Sequence, residues 1–133
     1  MDKEKITKSN FEWKALLSSE EYYVTREKGT ESPFSGKYYN SKDKGTYKCV
    51  CCGSDLFSSE TKFNSGTGWP SFFKPVSDDS VETLSDDSLE MERIEVICSI
   101  CGAHLGHMFN DGPKPTGLRY CINSVALKLE RKQ

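Results

Sequence analysis

Two short segments repeat one pattern: Cys49-Val50-Cys51-Cys52-Gly53 and Cys98-Ser99-Ile100-Cys101-Gly102. Each reads Cys-x-x-Cys-Gly. Four thiolates in two such pairs match a closed tetrahedral zinc site. The trailing glycines support this. A knuckle around a metal needs a residue tolerant of positive φ, so that backbone N–H groups can point at the sulfurs. Such a site pins two distant segments together and sets a centre for the fold before any strand is read. It also assigns Cys49, Cys52, Cys98 and Cys101 to a structural Zn2+ and removes them from the catalytic candidates. Two other readings compete. Disulfides would suit an exported chain, but Met1-Asp2-Lys3-Glu4-Lys5 is charged, with no apolar signal region behind it. A thioredoxin-like redox pair explains one clip, but not two matched clips with glycines. The pattern points to metal and says little of function, since unrelated proteins share it.

A chain of 133 residues is long enough for one domain with a real core. Residues 1–10 read as a polar tail and 11–133 as a single domain. Hydrophobic content is modest at 35%, so a metal staple would help the fold. A formal net charge of −2 argues against a nucleic-acid surface, which carries a basic excess. No apolar run approaches the roughly 18 residues that a membrane helix requires. Six cysteines without an export signal suit a reducing compartment. The cytoplasm is the expected location and a monomer the expected state.

Ser9-Asn10-Phe11-Glu12 reads as a capping box that opens a short helix, with Phe11, Trp13, Leu16 and Leu17 on its apolar stripe. Ser18-Ser19-Glu20-Glu21 repeats the logic for a second short helix through Tyr22, Tyr23 and Val24. Glu31 to Gly36 is a breaker-rich loop. Tyr38-Tyr39, Thr46 to Cys49, Glu95 to Cys98 and Tyr120 to Leu129 are rich in β-branched and aromatic residues and read as strands. Asp43-Lys44-Gly45, Asn64-Ser65-Gly66 and Asn110-Asp111-Gly112 read as turns or loop corners. Ser-Asp-Asp-Ser occurs at 77–80 and 85–88, framing a short strand from Val81 to Leu84 as a solvated acidic edge. The domain therefore reads as mainly antiparallel β after two small helices.

Cys121 lies in Gly117-Leu118-Arg119-Tyr120-Cys121-Ile122-Asn123-Ser124. In a strand, Arg119, Cys121 and Asn123 share one face. A guanidinium beside a thiol favours the reactive thiolate. A buried, inert cysteine is the equal alternative on this segment alone. The only two histidines, in His104-Leu105-Gly106-His107, tip the balance. Strict alternation would put them on opposite faces, but Gly106 permits a bulge or bend that turns both the same way. A histidine this close to a Cys-x-x-Cys pair could be a zinc ligand, but four cysteines already close a tetrahedral site; two imidazoles near a thiolate can instead hold it ionised and deliver a proton. Gly66-Thr67-Gly68-Trp69-Pro70-Ser71-Phe72 holds Trp69 on a rigid loop. In isolation Trp69 reads as core; in a site it offers a flat apolar wall for a methyl group.

Together these elements resemble the methionine-R-sulfoxide reductase family. The resemblance rests on both clips, Gly68-Trp69-Pro70-Ser71-Phe72, Cys101-Gly102-Ala103-His104-Leu105-Gly106-His107 and Arg119 to Ser124, with a weaker match in Thr30-Glu31-x-Pro33-Phe34-x-Gly36. It runs from about Phe11 to Leu127. It implies two antiparallel sheets in an open, barrel-like sandwich with small N-terminal helices. It implies reduction of the R epimer of methionine sulfoxide, free or in proteins. By motif position, Cys121 is the implied nucleophile. His104, His107 and Asn123 would orient and protonate the sulfoxide oxygen, with imidazolium as the donor. Trp69 would receive the S-methyl group, and Arg119 would help to form the substrate site. Attack by Cys121 would release methionine and leave a sulfenic acid.

The sequence departs from the family pattern at two places. Many members carry a resolving cysteine two residues before the tryptophan, where this chain has Thr67. Cys51 is the only leftover thiol and sits on the zinc knuckle. The expected route of regeneration is therefore an external thiol such as thioredoxin, glutathione or glutaredoxin. Leu89-Glu90 stands where relatives often have histidine or tyrosine followed by glycine, which bears on local loop contacts with substrate. A zinc-clamped binding module or a thiol peroxidase would share some of these features. The first has no need of Cys121 with two histidines, and the second has no need of a methyl-sized aromatic wall.

Overall fold

The computed structural model describes residues 6–86 and 93–131. Two helices lead: α1 (Asn10–Leu16) and α2 (Ser19–Arg26). Both open on the expected capping boxes. Ser9 Oγ accepts from Glu12 N at 3.2 Å and Glu12 Oε1 accepts from Ser9 N at 3.1 Å. Ser18 and Glu21 repeat the exchange at 3.1 and 2.8 Å. Each cap contributes about 1 kcal/mol. The expected apolar stripe of α1 is narrower than its sequence suggests. Trp13 is buried, but Phe11 is 82% and Leu16 64% exposed, because a seven-residue helix meets the domain along a single ridge. The Arg26 guanidinium lies 4.5 Å above the Trp13 ring and donates to the Cys101 carbonyl at 3.0 Å. The helices are thereby tied to the second clip.

Among the described residues, nine strands follow: β1 (Gly45–Cys49), β2 (Asp55–Ser58), β3 (Lys62–Phe63), β4 (Ser71–Phe72), β5 (Val81–Asp86), β6 (Arg93–Cys98), β7 (His104–Phe109), β8 (Arg119–Ile122) and β9 (Leu127–Arg131). They form a three-stranded sheet, β2-β1-β9, and a six-stranded sheet, β3-β4-β8-β7-β6-β5. The pairings are antiparallel and neither sheet closes on itself. This is the open two-sheet sandwich expected. No helix among the described residues is long and apolar enough to cross a membrane.

The core lies between the sheets and includes an aromatic cluster. Tyr47 and Phe57 of the small sheet meet Phe72 and Tyr120 of the large one. Phe57 stacks on Phe72 at 4.5 Å, Tyr47 meets Phe72 edge-on at 5.2 Å, and Phe57 lies 5.6 Å from Tyr120. Such ring pairs add about 0.5–1.5 kcal/mol each beyond the area they bury. Tyr120 and Ile122 face this core, so alternation turns Cys121 to the outer face of the large sheet.

Two strand readings need correction. Tyr38-Tyr39 is a turn. Tyr38 is buried there because its hydroxyl accepts from Leu129 N at 3.0 Å and its ring packs on Tyr47 at 5.3 Å, so its apolar signal was for burial. Tyr120 to Leu129 is two strands, β8 and β9, split by a 3-10 turn at Ser124–Ala126 that carries the chain from one sheet to the other. The acidic-edge strand continues to Asp86. Leu89-Glu90, the rest of the second Ser-Asp-Asp-Ser and the first five residues lie outside the described residues.

Candidate active site

Strand register assembles a row across the outer face of the large sheet. Ser71 pairs with Cys121, Cys121 with His107, and His107 with Glu95. Directly opposed residues of antiparallel strands project on the same side. His104 joins them through a bulge. Val96 pairs with Gly106 but Ile97 pairs with His104, so Leu105 is an extra residue in β7. The extra residue reverses the alternation and brings the two imidazoles to 5.5 Å, inclined at 69°. Gly106 has no alternative here: a Cβ on it would run into the Cys121 carbonyl oxygen of β8.

His104 is 2% exposed. Its Nδ1 lies 2.7 Å from Glu95 Oε2, and its Nε2 is buried without a hydrogen-bond partner among the described residues. Burial pushes its pKa below the usual imidazole value, against the pull of Glu95; His107 and Lys28 push the same way as burial. Burial thus disfavours a standing imidazolium at His104.

Cys121 is half-buried. Its sulfur lies 3.8 Å from Thr67 Oγ1, at the end of a hydroxyl chain in which Ser71 meets Ser65 at 2.7 Å and Ser65 meets Thr67 at 2.8 Å. Burial pushes the thiol up, while Thr67, Arg119 and Ser71 pull it down. The expectation that Arg119 lowers this thiol outright therefore needs correction. The guanidinium does lean that way, but it is committed to Asp111, with Nε–Oδ1 at 2.8 Å and Nη2–Oδ2 at 3.1 Å, and it stacks 4.3 Å from the Phe109 ring. Burial wins.

Asn123 falls just past the end of β8, so it is not in alternation with Arg119 and Cys121. Its carboxamide holds backbone at both ends: Oδ1 accepts from Glu31 N and Nδ2 donates to Leu105 O, each at 3.0 Å. Glu31 O in turn accepts from the Trp69 indole at 3.0 Å, and Glu31 Oε1 accepts from Val125 N at 2.9 Å. The half-buried Trp69 is thus anchored through Glu31 to Asn123. Sequence reasoning did not single out Glu31 or Glu95. Glu31 lay in the weakest of the matching motifs, and Glu95 read as an ordinary strand residue.

The four clip cysteines do converge. Their sulfurs all lie within 4.8 Å of one another, with Cys49–Cys101 at 3.7 Å and Cys52–Cys98 at 3.6 Å. A tetrahedron with Zn–S bonds of about 2.3 Å has edges of about 3.8 Å, so the set fits zinc. The two knuckles match: Gly53 and Gly102 have φ of 80° and 77°, and their N–H groups donate to Cys49 O and Cys98 O. Cys51 sits among Cys49, Cys101, Thr25 and Arg26, a different neighbourhood from that of Cys121.

A SelR domain matches residues 17–131. The peptide methionine sulfoxide reductase MsrB of Methanosarcina mazei is 57% identical over 133 residues, covering all of this chain and 95% of that protein. That of Leptospira interrogans is 56% identical over 127 residues, 96% of this chain and 97% of the relative. That of Acinetobacter baylyi is 55% identical over 126 residues, 95% of this chain and 91% of the relative. With a domain match spanning most of its length and relatives this similar from end to end, the chain belongs to the SelR-domain family of B-type methionine-R-sulfoxide reductases.

Proposed function

We propose that this protein reduces the R epimer of methionine sulfoxide, free or within proteins, to methionine by oxygen transfer to Cys121. The observation that carries the proposal is the register of β7 and β8, which sets the Cys121 thiol opposite His107 with His104 bulged onto the same face. Burial pushes the Cys121 thiol up and the His104 imidazole down, which favours the thiol–imidazole form with one mobile proton for the reaction. The histidine pair carries it from the thiol to the sulfoxide oxygen, which makes the substrate sulfur electrophilic. The Cys121 sulfur then attacks the substrate sulfur, and the protonated oxygen passes to Cys121 as the substrate S–O bond and the transient S–S bond break. Methionine leaves having gained two electrons, and Cys121 is left as a sulfenic acid. Trp69 receives the S-methyl group, with its ring plane fixed by Glu31 and Asn123. A stereospecific site must hold oxygen, methyl and lone pair in distinct places; the histidines take the first and the indole the second.

An external thiol, such as thioredoxin, glutathione or glutaredoxin, resolves the sulfenic acid. One thiol condenses with it to a mixed disulfide and water, and a second releases Cys121. Thr67 beside Cys121 and the separate neighbourhood of Cys51 support this route. Cys49, Cys52, Cys98 and Cys101 hold one Zn2+, which staples the two clips and takes no part in the redox step. Six cysteines suit a reducing compartment such as the cytoplasm, and the protein acts there as a monomer.

The test is an epimer-resolved reductase assay on the wild type and Cys121→Ser, with dithiothreitol and with thioredoxin. The wild type should consume only the R epimer, and Cys121→Ser should be inactive with an unchanged circular dichroism spectrum. Turnover surviving in Cys121→Ser would remove the nucleophile. A Cys51–Cys121 disulfide formed at the catalytic rate, mapped by mass spectrometry, would sink the external-thiol route.

A further inference from the structure

Glu95 is a carboxylate on the middle of β6, 4% exposed. A charge in such a place is retained only when paired and hydrogen-bonded. Both of its oxygens are engaged. Oε2 meets His104 Nδ1 at 2.7 Å and Oε1 meets Lys28 Nζ at 3.2 Å. An ionised carboxylate can only accept, so Nδ1 of His104 must carry the hydrogen. The other ring nitrogen, Nε2, is buried and has no partner among the described residues. Lys28 adopts a left-handed φ of 58°, just past the end of α2, a conformation that favours glycine. A residue with a long cationic side chain stands there, reaching the carboxylate.

We propose that Glu95 is the positioning residue of this site: it holds His104 with the proton on Nδ1, leaving Nε2 as the atom that meets the oxygen of bound sulfoxide. The inference rests on the reductase reading and adds to it the direction of the proton. Nε2 accepts the thiol proton, the ring is briefly imidazolium, and Nε2 hands the proton to oxygen. Glu95 stabilises that ion. Lys28 and His107 oppose it. Arg26, from α2, and Lys8 line the same hollow over His104, and Glu82 lies on the same face of β5, opposite Ile97.

The chain has only two histidines, so its imidazole 15N spectrum contains two rings, and His107→Asn assigns them. In the wild type, His104 should be the Nδ1–H tautomer. In Glu95→Gln its titration midpoint should fall, and the limb of kcat/KM that follows His104 should move with it. The same variant should lower kcat by about tenfold or more, with KM changed less than about twofold. Lys28→Met should move the midpoint and the limb upward. Opposite displacements in the two variants are the signature, and loss of packing alone would not produce them. An Nε2–H tautomer in the wild type, or displacements of the same sign, would overturn the proposal. If Glu95→Gln does not fold, Lys28→Met, which changes a largely exposed side chain, carries the test. Absence of R-sulfoxide turnover in the wild type would instead remove the reductase reading, while tautomer and titration would still report on Glu95.

Discussion

Asn123→Ala separates two roles for a residue beside the nucleophile. In the structure its carboxamide bridges Glu31 N and Leu105 O, each at 3.0 Å, and it is 3% exposed. Truncation leaves Leu105 O with the Asn123 backbone N–H at 2.9 Å. It leaves the Glu31 N–H buried without a partner, which costs about 1–3 kcal/mol, and loses a second bond of about 0.5–1.5 kcal/mol. The sum is about 1.5–4.5 kcal/mol. At an unfolding entropy of about 2.1 cal/mol/K per residue, that lowers Tm by about 5–16 °C. Because Glu31 O also holds the Trp69 indole, KM for R-sulfoxide should rise as the wall loosens. Calorimetry and steady-state kinetics on one preparation check both. A Tm within about 2 °C of wild type, together with a large fall in kcat, would refute this reasoning and show that Asn123 touches the sulfoxide directly.

Three further outcomes follow from the geometry. Metal analysis should find one zinc per chain, and chelation in mild denaturant should unfold the protein, since a structural site supplies on the order of 10 kcal/mol of apparent folding energy. Thr67→Cys should form an intramolecular disulfide with Cys121 during turnover, because the present Oγ1 is 3.8 Å from Sγ; thiol titration after one turnover should then lose two thiols. Gly106→Ala should cost about 3 kcal/mol in urea unfolding, because its Cβ meets backbone of β8 rather than a yielding side chain. It should cost more in activity, since β7 and β8 carry His107 and Cys121.

What the sequence disclosed was whatever depends on spacing. The clips, both capping boxes and the irregularity that Gly106 permits in its strand are local patterns, and all three are present. What it concealed depends on partners far along the chain. Nothing near Tyr38 says that its hydroxyl will meet Leu129 N. Nothing near Glu95 distinguishes a solvated strand carboxylate from one buried between His104 and Lys28. Asn123 and Glu31 are 92 residues apart and meet only through the fold. The Cys121 thiol shows the same limit in electrostatics. Arg119 is visible two residues away and pulls as expected, but the depth of burial that outweighs it is a property of the assembled sheet.

The single extra residue in β7 makes the site depend on a count as well as on composition. Leu105 is fully buried, and another apolar side chain of similar volume could fill its place with little effect on the fold. The number of residues between His104 and His107 is less forgiving. Removing one would restore regular pairing with β6, a change a sheet accepts readily, and would turn one imidazole away from the thiol. A deletion of that kind is a lesion invisible to composition: every chemically active residue would remain, in a well-paired strand, with the proton path cut. Length variation in β7 is therefore a sharper mark of a silenced copy than any substitution at Leu105.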